Sequence, residues 1–293
     1  MLSKKKILVT GANGLIGSAL VSLLEKEHDV FALGRNFSNI EPGHYTKIKL
    51  DLTAEWTASQ LPAKIDVIYH LAQSEYFRDF PQKVMEVFSV NVQSTLKLLD
   101  YARLSGCKQF IYASSGGVYG NSEEGFREDE DIKARNDLGF YLGTKFCSEI
   151  LVENYVSFFD VVICRLFFAF GPKQRRSMLI PRLADSVIQG KEITIQGKEG
   201  IKINPIFIDD VKYALSQILN IKGNHKFNLG GKEVLSIKEI VEIIAGKVGK
   251  KPNYSYQEDS SPKHIIGDIE KMIKLLHTPK ISFEKGVELL LPR

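Results

Sequence analysis

The sequence contains few residues of the kinds that hold metal ions or form disulfides. Its 293 residues include only 3 cysteines and 6 histidines. Cys107, Cys147 and Cys164 are far apart along the chain and lie in ordinary apolar or helical segments, so we expect reduced core thiols. The histidines never fall at ligand spacing with one another or with a cysteine, so we expect no structural metal site.

Long apolar runs and a strong charge of one sign are also absent. No apolar segment reaches the about 20 residues that a helix needs to span a bilayer. The start of the chain, Met1–Lys6, lacks the apolar core of a signal peptide. The formal charge of +4 is spread along the chain and gives little reason to expect nucleic-acid binding. We therefore expect a cytoplasmic protein that binds neither membranes nor nucleic acids.

The most informative segment present is a glycine-rich turn, Thr10–Gly17. It follows the apolar run Ile7–Val9 and precedes an amphipathic segment that begins at Leu15. Glycines at this place let the backbone come close to a ligand, and the N–H groups at the start of a helix face an anion. The glycine spacing G-x-x-G-x-x-G differs by one residue from the general G-x-G-x-x-G fingerprint of dinucleotide-binding proteins. Its position between a strand and a helix nevertheless predicts a dinucleotide site.

Short apolar runs alternate with helical patterns in the first half of the chain. The predicted strands are Lys6–Val9, Val30–Leu33, Ile48–Leu52, Val67–Leu71, Phe110–Ser114 and Val161–Leu166. This alternation predicts an α/β fold of the Rossmann type, a doubly wound parallel sheet, with a smaller mixed α/β C-terminal substrate domain. We expect the dinucleotide-binding domain over 1–167, with 203–222 returning to it, and the smaller domain over 168–202 and 223–293.

A tyrosine and a lysine lie one turn apart on a predicted helix. In Tyr141-Leu-Gly-Thr-Lys145 the two side chains share a face. A nearby ammonium group favours the phenolate and lowers the pKa of a tyrosine from its usual value of about 10, and it can also reach a cofactor hydroxyl. The pair predicts a proton donor and acceptor. Tyr45 and Lys49 have the same spacing, but in a predicted strand they lie about 13 Å apart.

Two serines end a predicted central strand. Ser114 and Ser115 belong to the segment YASSGGVYG, which begins at Tyr112. In an open parallel sheet the carboxyl ends of the strands bind ligands, so a serine there can hydrogen-bond a substrate oxygen beside Tyr141. A polar turn without a ligand explains the same residues.

Taken together, these segments resemble the extended short-chain dehydrogenase/reductases that act on nucleotide-linked sugars, the epimerase/dehydratase group. The matching segments are Thr10–Gly17, Asp51–Leu52, His70–Ala72, Asn91, Ser114–Ser115 with Val118–Gly120, Tyr141 with Lys145, Arg165 with Gly171–Pro172, Asp209–Val211 and Phe227–Gly231. The resemblance implies that Tyr141 is the general acid/base and that Ser115 bridges to the sugar oxygen. It also implies that Lys145 lowers the pKa of Tyr141 and holds the nicotinamide ribose.

The resemblance also assigns binding residues. Asp51 would contact the adenine, Leu71 and Ala72 would line the floor under the cofactor, and His70 is expected to be a packed strand residue. The residues expected to bind the cofactor are Gly11, Asn13, Gly14, Leu15, Ile16, Gly17, Arg35, Asp51, Leu52, Leu71, Ala72, Gln73, Asn91, Tyr141 and Lys145. The residues expected to bind the substrate are Ser114, Ser115, Phe168, Arg175, Arg176 and Arg182.

Two departures from the family pattern narrow the range of reactions that we expect for this chain. Sugar dehydratases of this group carry an Asp-Glu pair directly after the hydroxyl residue, where this chain has Gly116 and Gly117, so we do not expect dehydration. Members that use NAD end the second strand with an acidic residue, where this chain has Leu33-Gly34-Arg35-Asn36. A guanidinium group in place of a carboxylate favours NADP(H), although a surface arginine with NAD(H) bound is the alternative.

The contacts to the nucleotide of the substrate must also differ in detail from those in relatives. Many relatives have an asparagine where this chain has Phe168, and an arginine often seen before Asp209 is missing. Arg175, Arg176 and Arg182, with Lys173, follow the Gly-Pro turn and could neutralise a sugar diphosphate. A solvated basic loop explains them equally.

We therefore predict an NAD(P)-dependent enzyme that acts at carbon 4 of a nucleotide-diphosphate sugar. Because Arg35 favours NADP(H), the first prediction is NADPH-dependent reduction of a 4-keto sugar. A 4-epimerase that retains its NAD is the alternative, since both enzymes need Ser115, Tyr141 and Lys145. A non-catalytic dinucleotide-binding or scaffold protein is disfavoured because the complete set of catalytic residues would have no purpose there.

Two predicted helices, Val84–Leu104 and Gly139–Ser157, have more apolar surface than one sheet face requires. The residues concerned are Val84, Val87, Phe88, Val92, Leu96, Phe146, Ile150, Leu151, Val152, Tyr155 and Phe158. In relatives these helices pair with their symmetry mates, so the resemblance implies a homodimer. Burial within the core of a large monomer is the alternative.

Overall fold

A seven-stranded parallel sheet forms the centre of the molecule. The structure is a computed structural model and describes residues 4–121, 124–132, 138–260 and 263–291. In chain order the described strands are β1 (Lys6–Thr10), β2 (Asp29–Gly34), β3 (Thr46–Lys49), β4 (Val67–His70), β5 (Gln109–Ser115), β6 (Asp160–Leu166), β7 (Ala169–Phe170), β8 (Glu192–Gln196), β9 (Lys202–Ile203), β10 (Ile206–Phe207), β11 (His225–Leu229), β12 (Leu235–Ser236) and β13 (Asn253–Gln257). The sheet has the spatial order β11-β6-β5-β4-β1-β2-β3, and every neighbouring pair is parallel.

Helices cover both faces of this sheet. In chain order the described α-helices are α1 (Leu15–Leu24), α2 (Val84–Phe88), α3 (Ser94–Leu104), α4 (Gly139–Glu153), α5 (Leu179–Gln189), α6 (Ile208–Gln217), α7 (Ile237–Val248), α8 (Glu270–Leu275) and α9 (Phe283–Leu290). Ile7 and Val9 of β1 pack in one layer with α1 and α6, whereas Leu8 packs in the other layer with α3 and α4. Because strands covered on both faces need apolar residues on both, they appear as continuous apolar runs. The predicted doubly wound parallel sheet is confirmed.

The second half of the chain contributes to the sheet as well as to smaller elements. Helix α6 packs on α1, as the predicted return of 203–222 requires. Strand β11 pairs with β6, although the sequence division placed 223–293 in the smaller domain. The short pairs β7–β10, β9–β12 and β8–β13 lie outside the main sheet. The domain boundaries themselves stay a prediction.

The helix predicted over Val84–Leu104 contains a wider turn. Between α2 and α3, the segment Ser89–Gln93 forms a π-helical turn. The carbonyl of Asn91 in this turn accepts hydrogen bonds from the hydroxyls of Thr95 and Ser148, at 2.6 and 2.8 Å. Such turns occur often beside functional sites because they displace one residue from the regular helical position.

The sequence pattern over Asp209–Leu219 predicts a helix capped by an aspartate, but this prediction is wrong. Helix α6 begins at Ile208, one residue before Asp209, and no side chain caps it among the described residues. The carboxylate of Asp210 instead accepts the backbone N–H groups of Lys280 and Ile281, at 2.9 and 3.0 Å. This aspartate therefore joins α6 to the segment before α9.

The cysteines differ in their surroundings. Cys107 and Cys164 are buried, as predicted, but Cys147 is exposed on α4, so the expectation of a core thiol is wrong there. All three are free thiols. Cys147 is exposed because its side chain lies on the face of α4 opposite to the buried Ser148 and Glu149. Among the described residues no helix is long and apolar enough to cross a membrane.

Candidate active site

The glycine turn between β1 and α1 brings three chain segments into close contact. Gly11 has a φ of +65°, and a Cβ there would lie 2.7 Å from the backbone nitrogen of Ala72. A Cβ on Gly17 would lie 2.2 Å from the carbonyl oxygen of Gly11. Only glycine allows such a close approach, so these two positions determine the shape of the turn.

The start of α1 offers backbone donors to an anion. Gly14 is the N-cap of the helix, and no side chain within the described part of the chain caps it. Its first turn contains no acidic residue. The N–H groups of Leu15 and Ile16 belong to this first turn, where the helix dipole is positive. These donors fit the diphosphate of a dinucleotide.

Thr10 and His70 support the segment that follows β4. The hydroxyl of Thr10 lies 2.8 Å from Nδ1 of His70 and accepts the backbone N–H of Ala72 at 3.3 Å. On the other side of the ring, Nε2 lies 2.9 Å from the hydroxyl of Thr95. Burial lowers the pKa of His70 to about 3, so the imidazole is neutral and acts in packing, as expected. Leu71 and Ala72 are thereby held at the carboxyl edge of the sheet.

Tyr141 and Lys145 lie one turn apart on α4, and each contacts another element. The hydroxyl of Tyr141 donates a hydrogen bond to Oε1 of Gln73, at 2.8 Å. The ammonium group of Lys145 donates to the carbonyl oxygen of Ala113 on β5, at 2.9 Å, and lies 5.1 Å from the centre of the Tyr112 ring. The predicted helix places both side chains above the ends of the central strands.

The pKa of Tyr141 is raised in this structure, whereas the sequence analysis expects it to be lowered. Burial raises the pKa of its hydroxyl, although the side chain keeps some exposure. Burial also lowers the pKa of Lys145 to about 7, partly offset by the carboxylate of Glu149. The ammonium group of Lys145 is directed to the Ala113 carbonyl, and an effect of the lysine on the pKa of Tyr141 stays a prediction. In this arrangement Tyr141 is a protonated donor.

Asn91 and Gln73 connect the loop after β4 to α4. Asn91 is 1% exposed, and its Oδ1 accepts the backbone N–H of Ser74 at 3.0 Å. Its Nδ2 donates to the hydroxyl of Thr144 at 2.9 Å. Asn91 therefore positions the loop that presents Gln73 to Tyr141. A direct contact of Asn91 or Gln73 with a cofactor stays a prediction.

Ser115 and Ser114 have different surroundings. Ser115 ends β5, and its hydroxyl accepts the backbone N–H of Gly117 at 3.2 Å. A Cβ on Gly117 would lie 3.0 Å from the side chain of Leu142, so Ser115 and the start of α4 meet at this edge. Ser114 is only 4% exposed, and its hydroxyl has no hydrogen-bond partner among the described residues. Ser114 is therefore directed into the core, which does not favour the predicted substrate contact.

The glycines after Ser115 leave no room for the acids of a dehydratase. A Cβ on Gly116 would lie 2.5 Å from the ring of Phe167, which is fully buried. An aspartate at this position would displace that ring. The absence of dehydration stays a prediction.

Arg35 follows β2 directly, and a carboxylate holds its guanidinium group. Nη2 of Arg35 lies 2.6 Å from Oε1 of Glu75. The side chain of Asp51 accepts the N–H and the hydroxyl of Thr53, at 2.9 and 2.8 Å. Burial raises the pKa of Asp51, but these hydrogen bonds and the nearby Arg35 outweigh it and lower that pKa. Leu52 packs against the layer of buried apolar residues that contains Leu8.

Asn13 fixes the loop that follows Arg35. Its Nδ2 donates to Oδ1 of Asn36 at 2.5 Å, and its Oδ1 accepts the backbone N–H of Asn39 at 2.7 Å. The glycine turn and the end of β2 are therefore joined by side-chain hydrogen bonds. Arg35 and Asp51 lie near this junction.

The basic residues after β7 are not equally available to a substrate. Oε2 of Glu75 lies 2.9 Å from Nη2 of Arg175. Asp185 holds Arg176 through two hydrogen bonds, and Glu41 pairs with Lys173. A guanidinium group that already has a carboxylate partner must give it up to bind a phosphate.

Arg182 is the exception in this group. In the ranges that the structure describes it has neither an ion-pair partner nor a side-chain hydrogen bond. Arg78 is close enough that burial and the charge of Arg182 lower the pKa of its guanidinium group. Arg78 also donates to the carbonyl oxygen of Ser177 at 2.8 Å. Arg182 and the neighbouring Arg78, from the loop after β4, are therefore the arginines best suited to an anion.

Phe168 retains a backbone conformation that suits the asparagine of relatives. Its φ is +52°, in the left-handed region that asparagine adopts more readily than aromatic residues. The carbonyl oxygen of Phe168 accepts the backbone N–H of Ile206 at 3.3 Å, which holds this turn beside β10.

Comparison with known proteins identifies the family. The sequence profile of the NAD dependent epimerase/dehydratase family matches residues 7–230. The chain belongs to this family. It is 30% identical to an uncharacterised UDP-glucose epimerase of Bacillus subtilis (strain 168), over 96% of this chain and 95% of that protein. It is 24% identical to dTDP-4-dehydro-6-deoxyglucose reductase of Escherichia coli, over 98% of this chain and 97% of that protein.

The fold is shared with solved members of the epimerase/dehydratase family. UDP-glucuronic acid 4-epimerase from Bacillus cereus, solved in complex with UDP-glucuronic acid and NAD, superposes with a TM-score of 0.87. The identity is 29%, and 97% of each chain is covered. The resemblance inferred from the motifs is therefore confirmed. As a member of this NAD-dependent family the chain is an enzyme, and its glycine turn and the free donors of α1 fit the cofactor.

The sequence analysis missed two residues of this site. Glu75 contacts both Arg35 and Arg175, and Arg78 approaches Arg182. Both lie in the loop after β4, where the sequence has no motif that could identify them. Only their position shortly after His70–Ala72 indicated that they would lie near the ligand-binding edge of the sheet.

Proposed function

We propose that this chain is a 4-epimerase of a nucleotide-diphosphate sugar. The observation that supports this proposal is the set of Ser115, Tyr141 and Lys145 at the carboxyl edge of the sheet, beside the glycine turn. The close packing at Gly116 disfavours dehydration and leaves redox chemistry at carbon 4. A UDP-sugar is the first substrate to test, because the Bacillus cereus 4-epimerase was solved with UDP-glucuronic acid and NAD.

The residues of this chain would act on the proton of the sugar 4-hydroxyl. A bound nicotinamide supplies the hydride chemistry, since it accepts a hydride from carbon 4 and returns it. Tyr141, as the phenolate, would take the hydroxyl proton as the hydride leaves, and the phenol so formed would donate it again as the hydride returns. Its raised pKa favours the donor state. Ser115 would hydrogen-bond the same oxygen, and Lys145 would supply positive charge near the phenol.

Reduction of a 4-keto sugar with NADPH, the first prediction from the sequence, is the second candidate. Arg35 favours it, because a guanidinium group at the end of the second strand can bind the 2′-phosphate of NADP(H). One relative of this chain, 24% identical, is a dTDP-4-dehydro-6-deoxyglucose reductase of Escherichia coli. The Glu75 carboxylate on Arg35 is the observation that places this candidate second.

The cofactor and the product distinguish the two candidates. Purified protein is denatured and the released dinucleotide is identified by mass spectrometry, and intact protein is incubated with UDP-glucose or UDP-glucuronic acid without added cofactor. A 4-epimerase is expected to release NAD and to form the C4 epimer, seen by NMR, with no net change in reduced dinucleotide. Stoichiometric oxidation of added NADPH by a 4-keto sugar, with no epimerisation, would support the reductase instead. If neither reaction occurs, the proposed chemistry at carbon 4 is wrong.

Arg35→Asp is expected to shift the cofactor preference further toward NAD(H). The substitution removes a phosphate partner and adds an acceptor for the ribose hydroxyls, and each charged hydrogen bond contributes about 1.5–3 kcal/mol. The ratio of the dissociation constants for NADP(H) and NAD(H), measured by calorimetry, is the readout. An unchanged ratio would show that Arg35 does not approach the ribose.

We also propose a homodimer formed by α2, α3 and α4. Some of the apolar residues predicted for this interface are covered by the chain itself, namely Val87, Val92 and Val152. Others remain exposed on these helices, including Phe88 at 38%, Leu96 at 48% and Ile150 at 47%. A two-fold contact would bury this remaining surface on both subunits.

Light scattering at micromolar concentration is expected to give about twice the mass of one 33.0 kDa chain. Leu96→Glu should give a monomer, because it places a charge within the contact. Leu289→Glu on α9 is the control and should leave the mass unchanged, since Leu289 is 40% exposed away from these helices. A monomeric and fully active parent protein would contradict the proposal. The cytoplasmic location stays a prediction.

A further inference from the structure

The carboxylate of Glu75 lies between Arg35, which is predicted to bind the cofactor, and Arg175, which is predicted to bind the substrate. Oε1 of Glu75 accepts a hydrogen bond from Arg35 at 2.6 Å, and Oε2 lies 2.9 Å from Nη2 of Arg175. The Glu75 side chain is 28% exposed, less than that of Arg35 at 52% or Arg175 at 60%. Glu75 is therefore the least exposed member of the three and is enclosed between the two guanidinium groups.

Further acidic groups face Arg35. Asp51 and Glu86 both raise the pKa of its guanidinium group, after the larger effect of the hydrogen bond that Arg35 donates to Glu75. Arg35 thus lies among three carboxylates. The pKa of Glu75 is lowered, first by the hydrogen bond from Arg35, so its carboxylate is ionised at neutral pH.

This arrangement changes what Arg35 can do for a dinucleotide. A residue at the end of the second strand lies beside the adenosine ribose, where an arginine accommodates a 2′-phosphate and a carboxylate accepts a hydrogen bond from a 2′-hydroxyl. A 2′-phosphate would have to displace Glu75 from Arg35, and it would lie close to a second negative charge. A 2′-hydroxyl has no charge and can donate to a carboxylate. The local charge therefore favours the ribose without a phosphate.

We propose that Glu75 determines the cofactor specificity of this enzyme by holding Arg35 away from a 2′-phosphate. The chain would then select NAD(H) despite the arginine in its sequence. This inference deepens the proposed function and rests on it only in requiring a dinucleotide at the glycine turn. It is independent of the choice between 4-epimerase and 4-ketoreductase.

The test is the isosteric variant Glu75→Gln, which keeps the shape of the side chain and removes its charge. Dissociation constants for NAD and NADP are measured by calorimetry on protein from which any retained dinucleotide has been removed. In the variant the affinity for NADP relative to NAD is expected to rise about tenfold, the size of one charge-assisted hydrogen bond. This readout does not depend on turnover.

Two controls make the result specific to Glu75 and Arg35. Asp185→Asn releases Arg176 in the same basic segment and should leave the NAD to NADP ratio unchanged, because Asp185 contacts Arg176 and not Arg35. In an Arg35→Ala background, Glu75→Gln should lose its effect on the ratio, whereas in an Arg175→Ala background it should keep it.

The outcomes separate this inference from the proposed function. An unchanged ratio in Glu75→Gln, or an effect that persists without Arg35, would overturn the role of Glu75 while leaving the reaction at carbon 4 intact. Failure of the parent protein to bind either dinucleotide would overturn both. Thermal unfolding of each variant, with and without NAD, shows that the chain is folded when binding is measured.

Discussion

Tyr141→Phe is expected to lower turnover by a factor of about 10² to 10⁴, the range for loss of a positioned acid/base. The variant removes only the hydroxyl, which donates to Gln73 at 2.8 Å. Because Gln73 is exposed, its freed oxygen can bind water and the fold should remain stable. The measurement is the initial rate of epimer formation, with NAD binding measured in parallel.

Tyr45→Phe is the matched control for this variant. Tyr45 and Lys49 repeat the spacing of Tyr141 and Lys145, but Lys49 ends strand β3 and the Tyr45 hydroxyl donates to the carbonyl oxygen of Glu41. Turnover should therefore be close to that of the parent. If Tyr141→Phe binds NAD normally and keeps near-normal turnover, the assignment of Tyr141 as the acid/base is incorrect.

Glu149→Ala is expected to lower the free energy of unfolding by about 3–5 kcal/mol, the cost of removing one partner from a buried ion pair. Glu149 on α4 and Arg165 on β6 are each 1% exposed and are joined by two hydrogen bonds of 3.1 and 2.7 Å. The guanidinium carbon of Arg165 also lies 4.4 Å from the centre of the Tyr119 ring. Without the carboxylate, the buried positive charge has no counterion.

Chemical denaturation at equilibrium measures this loss. Asp100→Asn is the control, because it breaks an exposed pair with Arg103 at 2.7 Å and should cost less than about 1 kcal/mol. If Glu149→Ala does not fold, Glu149→Gln retains hydrogen-bonding capacity and should lose less stability. Equal small losses in Glu149→Ala and Asp100→Asn would show that the buried pair does not stabilise the fold.

The parts of the site that could be predicted from the sequence are those that depend on local geometry. The glycine turn requires residues without a Cβ at fixed spacing, and the structure shows the close approach at Gly11 and Gly17. Tyr141 and Lys145 share a face because one helical turn separates them. The strands β4, β5 and β6 have continuous apolar runs in their interiors because helices cover both faces of the sheet.

The ion pair that Arg35 forms could not be predicted from local geometry. Its partner Glu75 lies 40 positions further along the chain, in a loop with no motif. Gln73 and Tyr141 are separated by 68 positions, and the Ala113 carbonyl that receives Lys145 lies on a different element. These partners meet only after β2, β4, β5 and α4 have assembled.

The sequence by itself therefore determined the family, the parallel sheet and the glycine turn, and it supplied the proposed catalytic residues, since each depends on residue type at short spacing. Only the tertiary structure decided which charges meet. It brought Glu75 between Arg35 and Arg175, directed Ser114 into the core and exposed Cys147. The physical reason is that an ion pair depends on the distance between side chains in space, and long-range strand order sets that distance.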